Sequence, residues 1–258
     1  MQRRDSEAYL AKKQFYDSLL TVYGRKPVLE ALQMADVKIH RLHLADSNKP
    51  AAILSEIIAI AEGQGAEILY HSRNALSRIS KNSKQDQGIA VDLLCPKFST
   101  LASLLEQQEK IKGDLLALDG ITNPQNLGMI IRSACAGNIA GILLPSKGNA
   151  QIDPLVIKAS AGTLFRAPII RLEKTLEAAL SDLTQAGYQI TGLSSHSRDT
   201  LSQCSASGNV FVLGNETHGV SAAVDKLCHK RVKIPMNNGV ESLNVAVTAA
   251  LIAFRHSL

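Results

Sequence analysis

Apolar positions recur along the chain with two spacings, and the spacing predicts which segments form strands and which form helices. Apolar or alternating runs at residues 39–44, 114–118 and 141–145 have the length and composition typical of strands. Residues 51–61 and 175–186 instead have the helical pattern, with apolar side chains three or four positions apart. Because the two kinds of segment alternate, the chain is expected to adopt an α/β fold.

The first half of the chain is expected to form a small α/β unit between Tyr23 and Leu94, with Pro27 in the first turn of its first helix. Residues 1–20 precede this unit and have the pattern of a helix. That helix is interpreted either as a solvated surface element or as an arm that contacts RNA. Its exposed basic residues would be Arg3, Arg4, Lys12 and Lys13.

A polar stretch rich in Gln, Glu and Lys divides the chain at residues 96–112, and we interpret it as a linker that is partly helical. The predicted organisation is therefore an extension at 1–20, a first domain at 21–95, the linker at 96–112 and a second domain at 113–258. Residues 1–112 contain 16 Lys or Arg and 13 Asp or Glu, a net charge of +3, and the remainder contains 12 and 10, a net charge of +2. Charge alone therefore assigns neither domain to nucleic acid.

Three apolar strands of the second domain are each expected to end in a polar turn. Residues 115–132 read LLALDGITNPQNLGMIIR, residues 211–219 read FVLGNETHG, and residues 234–256 read IPMNNGVESLNVAVTAALIAFRH. Turns of this kind meet at the carboxyl edge of an α/β sheet, where ligands bind. The polar side chains expected in this site are Asn126, Arg132, Glu216, Ser242 and Asn244.

The chemistry of these turns favours a neutral ring beside a fixed positive charge. Main-chain groups at Gly214, Ile234 and Leu243 could hold an adenine-like ring between apolar walls. The guanidinium of Arg132 is permanently charged, so it suits a phosphate or a developing anion better than proton transfer. The alternatives are a salt-bridged helix arginine at 132 and a capped core helix running from Leu243 to His256.

Several function classes lack their sequence signatures. The chain has neither of the two glycine-rich phosphate-binding motifs, GxGxxG and GxxxxGK[ST], and no GxSxG nucleophile motif. Its four cysteines are widely separated, so no metal site is expected. No signal-peptide pattern and no apolar run of bilayer length is present, which favours a cytoplasmic protein without a membrane partner. A net charge of +5 is compatible with nucleic acid.

Basic residues cluster in the first domain near a polar stretch at residues 80–87, which is expected to be a mobile loop. Positive side chains beside such a loop suit contacts with RNA phosphates, although a solvated loop would have the same composition. The candidate RNA-binding residues are Arg73, Arg78, Lys81 and Lys84.

The three polar turns resemble the signature motifs of a known enzyme family. NPQNLGMIIRSA, LGNETHGVS and IPMNNGVESLNVAVTAA occur in the order and spacing of the SpoU/TrmH family of RNA ribose 2′-O-methyltransferases, in the SPOUT class. The resemblance spans Asp114 to His256. The region from Tyr23 to Leu94, which begins with Tyr-Gly-Arg and ends with Gln-Gly-Ile-Ala-Val-Asp-Leu-Leu, also resembles the ribosomal-protein-like substrate-binding domain common in this family.

The resemblance implies a fold, a cofactor and a set of residue roles. It implies a catalytic domain with a deep trefoil knot, a smaller N-terminal α/β RNA-binding domain, and a homodimer with its site at the subunit interface. It implies that S-adenosylmethionine (AdoMet) binds bent in the knot, and that Arg132 handles the target hydroxyl or its phosphate while the other four polar residues shape the pocket. The positions expected around AdoMet are Leu213, Gly214, Ile234, Met236 and Leu243.

One position departs from the family pattern, because Ala246 stands where the motif often has a second serine. The expected substrate is structured RNA, with ribosomal RNA favoured over transfer RNA. Two rivals remain open at this point. One is a non-catalytic RNA-binding or ribosome-assembly factor on the same fold, and the other is a small-molecule enzyme that uses the same sheet edge.

Overall fold

The computed structural model describes residues 12, 15–34, 37–95, 97–106, 113–204 and 207–257, and the chain divides into two compact units at residues 96 and 97. Most of the helix predicted for residues 1–20 lies outside the described residues. Residues 15–17 are helical, but the predicted helix is wrong at Leu19 and Leu20, which begin the first strand. Their apolar pair continues into Thr21, Val22 and Tyr23, residue types that favour strands.

From residue 19 onward, the described residues of unit 1 form a four-stranded sheet with three helices. The strand order is β1-β4-β2-β3, with β2 parallel to β3 and β4 antiparallel to both β1 and β2. The carboxyl ends of β1, β2 and β3 therefore share one edge with the start of β4. The elements are β1 (Leu19–Tyr23), α1 (Arg25–Leu32), β2 (Lys38–Ala45), α2 (Ala52–Gly63), β3 (Glu67–His71), α3 (Arg73–Ser80) and β4 (Ile89–Leu94).

A chain of polar hydrogen bonds crosses one face of this sheet. The hydroxyl of Thr21 donates to Asp92 over 2.6 Å, and the other carboxylate oxygen of Asp92 lies 3.1 Å from Nε2 of His43. Nδ1 of His43 lies 3.0 Å from Nε2 of His71. His43 is only 5% exposed, so this series of hydrogen bonds supplies the partners that the buried ring nitrogens of His43 require.

Residues 80–87, expected from the sequence to be a mobile loop, form a hydrogen-bonded turn. The fully buried carboxylate of Asp86 accepts hydrogen bonds from the hydroxyls of Ser77 and Ser80 and from the backbone N–H of Gly88. Asn82 donates to the hydroxyl of Tyr23. These bonds tie the turn to α3 through Ser77 and Ser80, and to the end of β1 through Tyr23.

Unit 2 is a seven-stranded sheet in the order β11-β9-β10-β6-β7-β8-β5, and all of its described strand pairs are parallel. The chain order reverses between β10 and β6, the point at which an α/β sheet opens a ligand crevice. The strands are β5 (Ser99–Thr100), β6 (Asp114–Asp119), β7 (Ile139–Pro145), β8 (Ile169–Leu172), β9 (Gln189–Leu193), β10 (Asn209–Gly214) and β11 (Lys230–Val232).

The helices of unit 2 alternate with these strands, so the α/β fold class predicted from the sequence is confirmed. Residues 99–106, within the segment interpreted as a linker, form β5 and α4, and β5 pairs with β8. The helices are α4 (Leu101–Glu106), α5 (Pro124–Ala136), α6 (Pro154–Ala159), α7 (Leu176–Gln185), α8 (Ala222–Asp225) and α9 (Val245–Ala253), and single 3₁₀ turns occur at Thr163–Arg166 and Leu201–Gln203.

A buried ion pair closes unit 2. Arg255, just after α9, donates to Asp114 at the start of β6 through both Nε and Nη2, over 2.8 and 2.7 Å, and both side chains are 5% exposed or less. The other oxygen of Asp114 accepts from the backbone and side chain of Asn209 at the start of β10. Nearby, the backbone N–H of Asn138 donates to the carbonyl of Ala253 over 2.7 Å. The end of α9 is thereby fixed beneath β6 and β10.

Candidate active site

The three polar turns meet at the side chain of Asn126. Its Nδ2 donates to Oε1 of Glu216 over 2.5 Å, and its Oδ1 accepts from Nδ2 of Asn244 over 3.1 Å. Asn126 is 7% exposed, whereas Glu216 and Asn244 are exposed. A single buried carboxamide therefore links the start of α5, the turn after β10 and the start of α9.

The first turn places Asn126 through a helix start of standard chemistry. Oδ1 of Asn123 caps α5 by accepting from the N–H groups of Gln125 and Asn126, and Pro124 occupies the first helical position. A Cβ at Gly128 would lie 2.5 Å from Cβ of Ala159 and 2.7 Å from the carbonyl oxygen of Val156. Only glycine at 128 lets α5 approach α6 this closely.

The second turn is held by Asn215. Its Nδ2 donates to the carbonyl of Gly120 over 2.8 Å, and its Oδ1 accepts from the backbone N–H groups of Thr217 and His218. The turn folds back so tightly that a Cβ at Gly214 would overlap the backbone of Gly219 and Val220. Glu216 is thus carried on a rigid loop beside the end of β6.

The third turn runs from the end of β11 at Val232 to the start of α9, and Pro235 within it cannot donate to a strand ladder. Helix α9 begins at Val245, and its cap is Asn244, whose Oδ1 accepts from the N–H of Ala246 over 2.8 Å. Ser242 is exposed, and its hydroxyl makes no hydrogen bond with any described residue.

The apolar positions expected around AdoMet have different degrees of burial. Leu213 is 1% exposed and belongs to the core of β10. Gly214 and the three positions on the third turn, Ile234, Met236 and Leu243, are half-buried. The third turn therefore presents apolar surface that the described residues of this chain do not fully cover.

Arg132 lies apart from the linked side chains of Asn126, Glu216 and Asn244, which we call the amide cluster. It is six residues after Asn126, about 9 Å along the axis of α5 at the helical rise per residue. Its side chain is exposed and forms no ion pair or hydrogen bond with any described residue. The alternative of a salt-bridged helix arginine thus finds no support, and the guanidinium is free to meet an external anion.

A cavity of about 390 Å³ opens at the carboxyl ends of β6, β7 and β8, and its lining includes none of the site residues predicted from the sequence. Two of its lining residues hold the second turn, since Gly120 accepts from Asn215 and Asp119 accepts from the N–H of Ser221. Asn149, also in its lining, bridges the loops after β6 and β7 by contacting Ile121 and Leu118. The loop at residues 119–123 is therefore fixed from both sides.

Sequence reasoning missed the residues that hold these loops, namely Asp119, Asn149 and Asn215. Asn215 stands within the LGNETHG stretch, so its position next to Glu216 was a usable signal. Asn149 has no comparable signal, because its partners lie 28 and 31 residues away on a neighbouring strand.

The candidate RNA-binding residues all lie on α3 or the turn after it, and all four are exposed. Arg73 also contacts the buried carboxylate of Asp86 over 3.4 Å while remaining 49% exposed. Arg78, Lys81 and Lys84 make no ion pair with any described residue.

The described part of the chain contains no group of three or more His, Cys, Asp or Glu side chains arranged to hold a metal ion. Among the described helices, none combines the length and apolar character needed to cross a bilayer.

Comparisons with known proteins match both units. The model of the SpoU rRNA Methylase family matches residues 114–254, and a model described as RNA 2′-O ribose methyltransferase substrate binding matches residues 21–93. An uncharacterized tRNA/rRNA methyltransferase of Mycolicibacterium vanbaalenii is 35% identical over 239 residues, which is 92% of this chain and 75% of that protein. A Mycobacterium avium protein of the same description is 35% identical over 234 residues, covering 90% of this chain and 75% of that protein.

Solved structures share the fold. An AdoMet-bound rRNA methyltransferase from Sinorhizobium meliloti aligns with a TM-score of 0.58 at 20% identity, over 98% of this chain and 92% of that one. The SpoU methyltransferase AviRb from Streptomyces viridochromogenes, in complex with AdoMet, aligns with a TM-score of 0.58 at 22% identity, over 94% of this chain and 92% of that one.

Proposed function

The chain belongs to the SpoU rRNA Methylase family, and on that premise we propose that it transfers a methyl group from AdoMet to a ribose 2′-hydroxyl of structured RNA. The observation that carries the proposal is the convergence of three turns on Asn126, together with half-buried apolar residues on the third turn and an unpaired arginine six residues further along α5. Ribosomal RNA is the favoured substrate, and transfer RNA is the alternative. The trefoil knot implied by the resemblance stays a prediction.

The residues present suit AdoMet. The third turn offers the uncovered side chains of Ile234, Met236 and Leu243, and Gly214 brings the backbone of the second turn close to the sheet. Apolar walls with exposed main-chain groups can hold a neutral adenine ring. When bound there, AdoMet supplies an electrophilic methyl group without a metal.

The chain's own residues must align the ribose and handle one proton. Alignment alone can lower a barrier by up to about 7–11 kcal/mol in favourable systems. With AdoMet bound, the S–CH₃ bond would break as the O–CH₃ bond forms, the electron pair would stay on sulfur, and the 2′-hydroxyl would have to lose its proton to a neighbouring acceptor. Glu216 or water accepts that proton, a step that typically contributes about 10²–10⁴-fold to the rate.

Arg132 is assigned to the phosphate or the developing oxyanion next to the target hydroxyl. Its guanidinium stays charged at any working pH, which excludes an ordinary base role. Ser242 and Asn244 are assigned to the substrate side of the pocket, with Asn126 orienting Glu216.

The exposed apolar surface of unit 2 supports a homodimer. Met129 on α5 is 39% exposed and Val247 on α9 is 48% exposed. Helix α9 is apolar around its whole circumference. A helix of this kind is normally buried, so we propose that a second copy covers it. A site at the subunit interface would also bring the isolated Arg132 toward a substrate held by the other copy.

The decisive experiment is transfer of a labelled methyl group from AdoMet to total RNA, followed by mapping of the modified nucleotide. Label on a ribose 2′-oxygen is the expected result, and label on a base would refute ribose specificity. Recovery in transfer RNA rather than ribosomal RNA would select the alternative substrate.

Calorimetry with AdoMet tests the rival, a non-catalytic RNA-binding factor on the same fold. If the chain is a methyltransferase, the purified chain must bind AdoMet saturably. Absence of binding, combined with retained RNA binding, would favour the assembly factor.

A further inference from the structure

Unit 1 concentrates its positive charge at one end of its sheet. We define the basic edge as residues 24–26, 46–51, 72–73 and 81–88, which follow the carboxyl ends of β1, β2 and β3 or precede β4. The basic edge contains six Lys or Arg and two Asp, a net charge of +4, whereas residues 1–96 as a whole contain 13 and 11, a net charge of +2. The rest of the unit is therefore net negative.

Two arginines in the basic edge are held in place by bonds that use only part of their donors. Nε of Arg25 donates to the carbonyl of Gln87 over 3.3 Å, and its Nη2 donates to Oδ1 of Asn48 over 3.2 Å. Nη2 of Arg73 lies 3.4 Å from the buried carboxylate of Asp86. A guanidinium has five N–H donors, so each arginine keeps donors for an external ligand.

Both arginines converge on the turn at Gln87 and Gly88. Asn48, which accepts from Arg25, donates through Nδ2 to the carbonyl of Gly88 over 2.7 Å. A Cβ at Gly88 would overlap Oδ1 of Asn48 and lie 3.2 Å from Nη1 of Arg73. Glycine at 88, with φ of +78°, is therefore what allows the two charged groups to approach one backbone turn.

The remaining charges of the basic edge are arranged around this pair. Lys26, Lys49 and Lys84 are exposed and form no ion pair with any described residue. Of the two acids, Asp86 is fully buried and bonded within the turn, which leaves Asp46 as the exposed carboxylate. Fixed guanidinium groups flanked by flexible ammonium groups suit a row of phosphates, because little side-chain entropy is lost when prepositioned arginines bind.

We propose that the basic edge, centred on Arg25 and Arg73, binds the phosphate backbone of structured RNA. This inference rests on the proposed function for the identity of the ligand, and it moves the centre of the contact from the turn at Lys81 to the ends of β1, β2 and β3. Phosphate contacts of this kind position an RNA without reading its sequence.

The test is binding of a fluorescein-labelled RNA hairpin by the full chain without AdoMet, at several salt concentrations. Arg73→Gln removes the charge while keeping a polar side chain, and the double variant Lys26→Ala/Lys49→Ala removes two charges that no described residue pairs. We expect each to weaken binding about tenfold at low salt, and to reduce the slope of log K against log salt by about one per charge removed.

Arg41→Gln is the matched control. Arg41 lies on β2 of the same unit, four residues before Ala45, and pairs with Glu67 over 2.6 Å. It is expected to leave affinity and slope unchanged, and an equal loss in this control would overturn the localisation to the basic edge. Wild-type affinity and slope in both test variants, with melting temperatures unchanged, would overturn the proposal altogether.

The design separates this proposal from the proposed function. Hairpin binding that depends on Arg73, Lys26 and Lys49 in a chain that transfers no methyl group would refute the methyltransferase and support the basic edge. Methyl transfer by a chain whose variants bind RNA normally would do the reverse.

Discussion

The side chain of Asn126 uses its two ends for different partners, which explains why this residue type is needed. Its N–H group donates to Glu216 and its oxygen accepts from Asn244. Aspartate could not donate to Glu216 and would face it with a like charge. The carboxamide thus sets the orientation of Glu216, one of the two proposed acceptors of the hydroxyl proton.

Arg132 supplies the sharpest prediction at this scale. Arg132→Ala is expected to lower methyl transfer by about 10²–10³-fold, the usual cost of removing one group that stabilises a developing anion. AdoMet binding should be unchanged, because Arg132 contacts none of the residues assigned to the cofactor. Single-turnover transfer and calorimetry measure the two effects separately.

Arg132→Lys serves as the control for charge. A lysine keeps the positive charge but loses the planar fork, so an intermediate rate is expected. Near-normal turnover of the alanine variant would remove Arg132 from the mechanism.

At the scale of single elements, α9 has a start that serves both stability and the site. Asn244 caps the helix through Oδ1 and contacts Asn126 through Nδ2. Asn244→Ser can keep the cap and must lose the contact with Asn126, whereas Asn244→Ala loses both. We expect the alanine variant to lose about 1 kcal/mol of unfolding free energy, and the serine variant to lose little.

Methyl transfer should fall in both variants, because both lose the donor to Asn126. Denaturant unfolding and initial rates measure the two quantities. Normal activity of Asn244→Ser would mean that the bond to Asn126 does not orient the site.

At the scale of single elements, the sequence predicts the features that depend only on neighbouring residues, such as helix starts. An Asp followed by Pro is a typical helix start, and α6 begins in this way, with Oδ1 of Asp153 accepting from Val156 and Pro154 at the first helical position. β1 was missed because its five residues follow a charged segment with helical spacing. The bonds of Asn149 and Asn215 were missed because they depend on which strands become neighbours, which periodicity does not specify.

At the scale of the whole molecule, the histidine chain of unit 1 makes stability sensitive to acid. Burial and the nearby charge of His43 lower the pKa of His71 below its ordinary value of 6.5. Burial alone would raise the pKa of Asp92, but the hydrogen bonds from His43 and Thr21 outweigh it and bring that pKa below 3.8. In both cases the unfolded chain takes up the proton at a higher pH than the folded chain.

The unfolding free energy is therefore expected to fall in two steps as pH decreases, the first below about 6.5 and the second below about 3.8. Calorimetric melting of the full chain across this range measures both. His71→Gln should remove the first step, and His218→Gln, at an exposed position in unit 2, should leave it in place. Persistence of the first step in His71→Gln would assign it to another group.

The ion pair that closes unit 2 makes a second prediction at this scale. Arg255→Ala leaves the buried carboxylate of Asp114 without its guanidinium partner, with Asn209 and the more distant His256 still beside it, so a loss of about 3 kcal/mol of unfolding free energy is expected. Arg231→Ala breaks the exposed pair with Asp225 and should change stability little. Denaturant unfolding compares the two, and equal effects would contradict a closing role for Asp114.

The same pair orders events during synthesis on the ribosome. Asp114 and Arg255 are 141 positions apart, so a growing chain exposes the carboxylate long before the guanidinium leaves the exit tunnel. All the described strands of unit 1 have been synthesised by residue 94, so unit 1 can fold while translation continues. Unit 2 cannot form this contact until α9 has left the tunnel, so its parallel strands wait longer than the strands of unit 1 for their remaining partners.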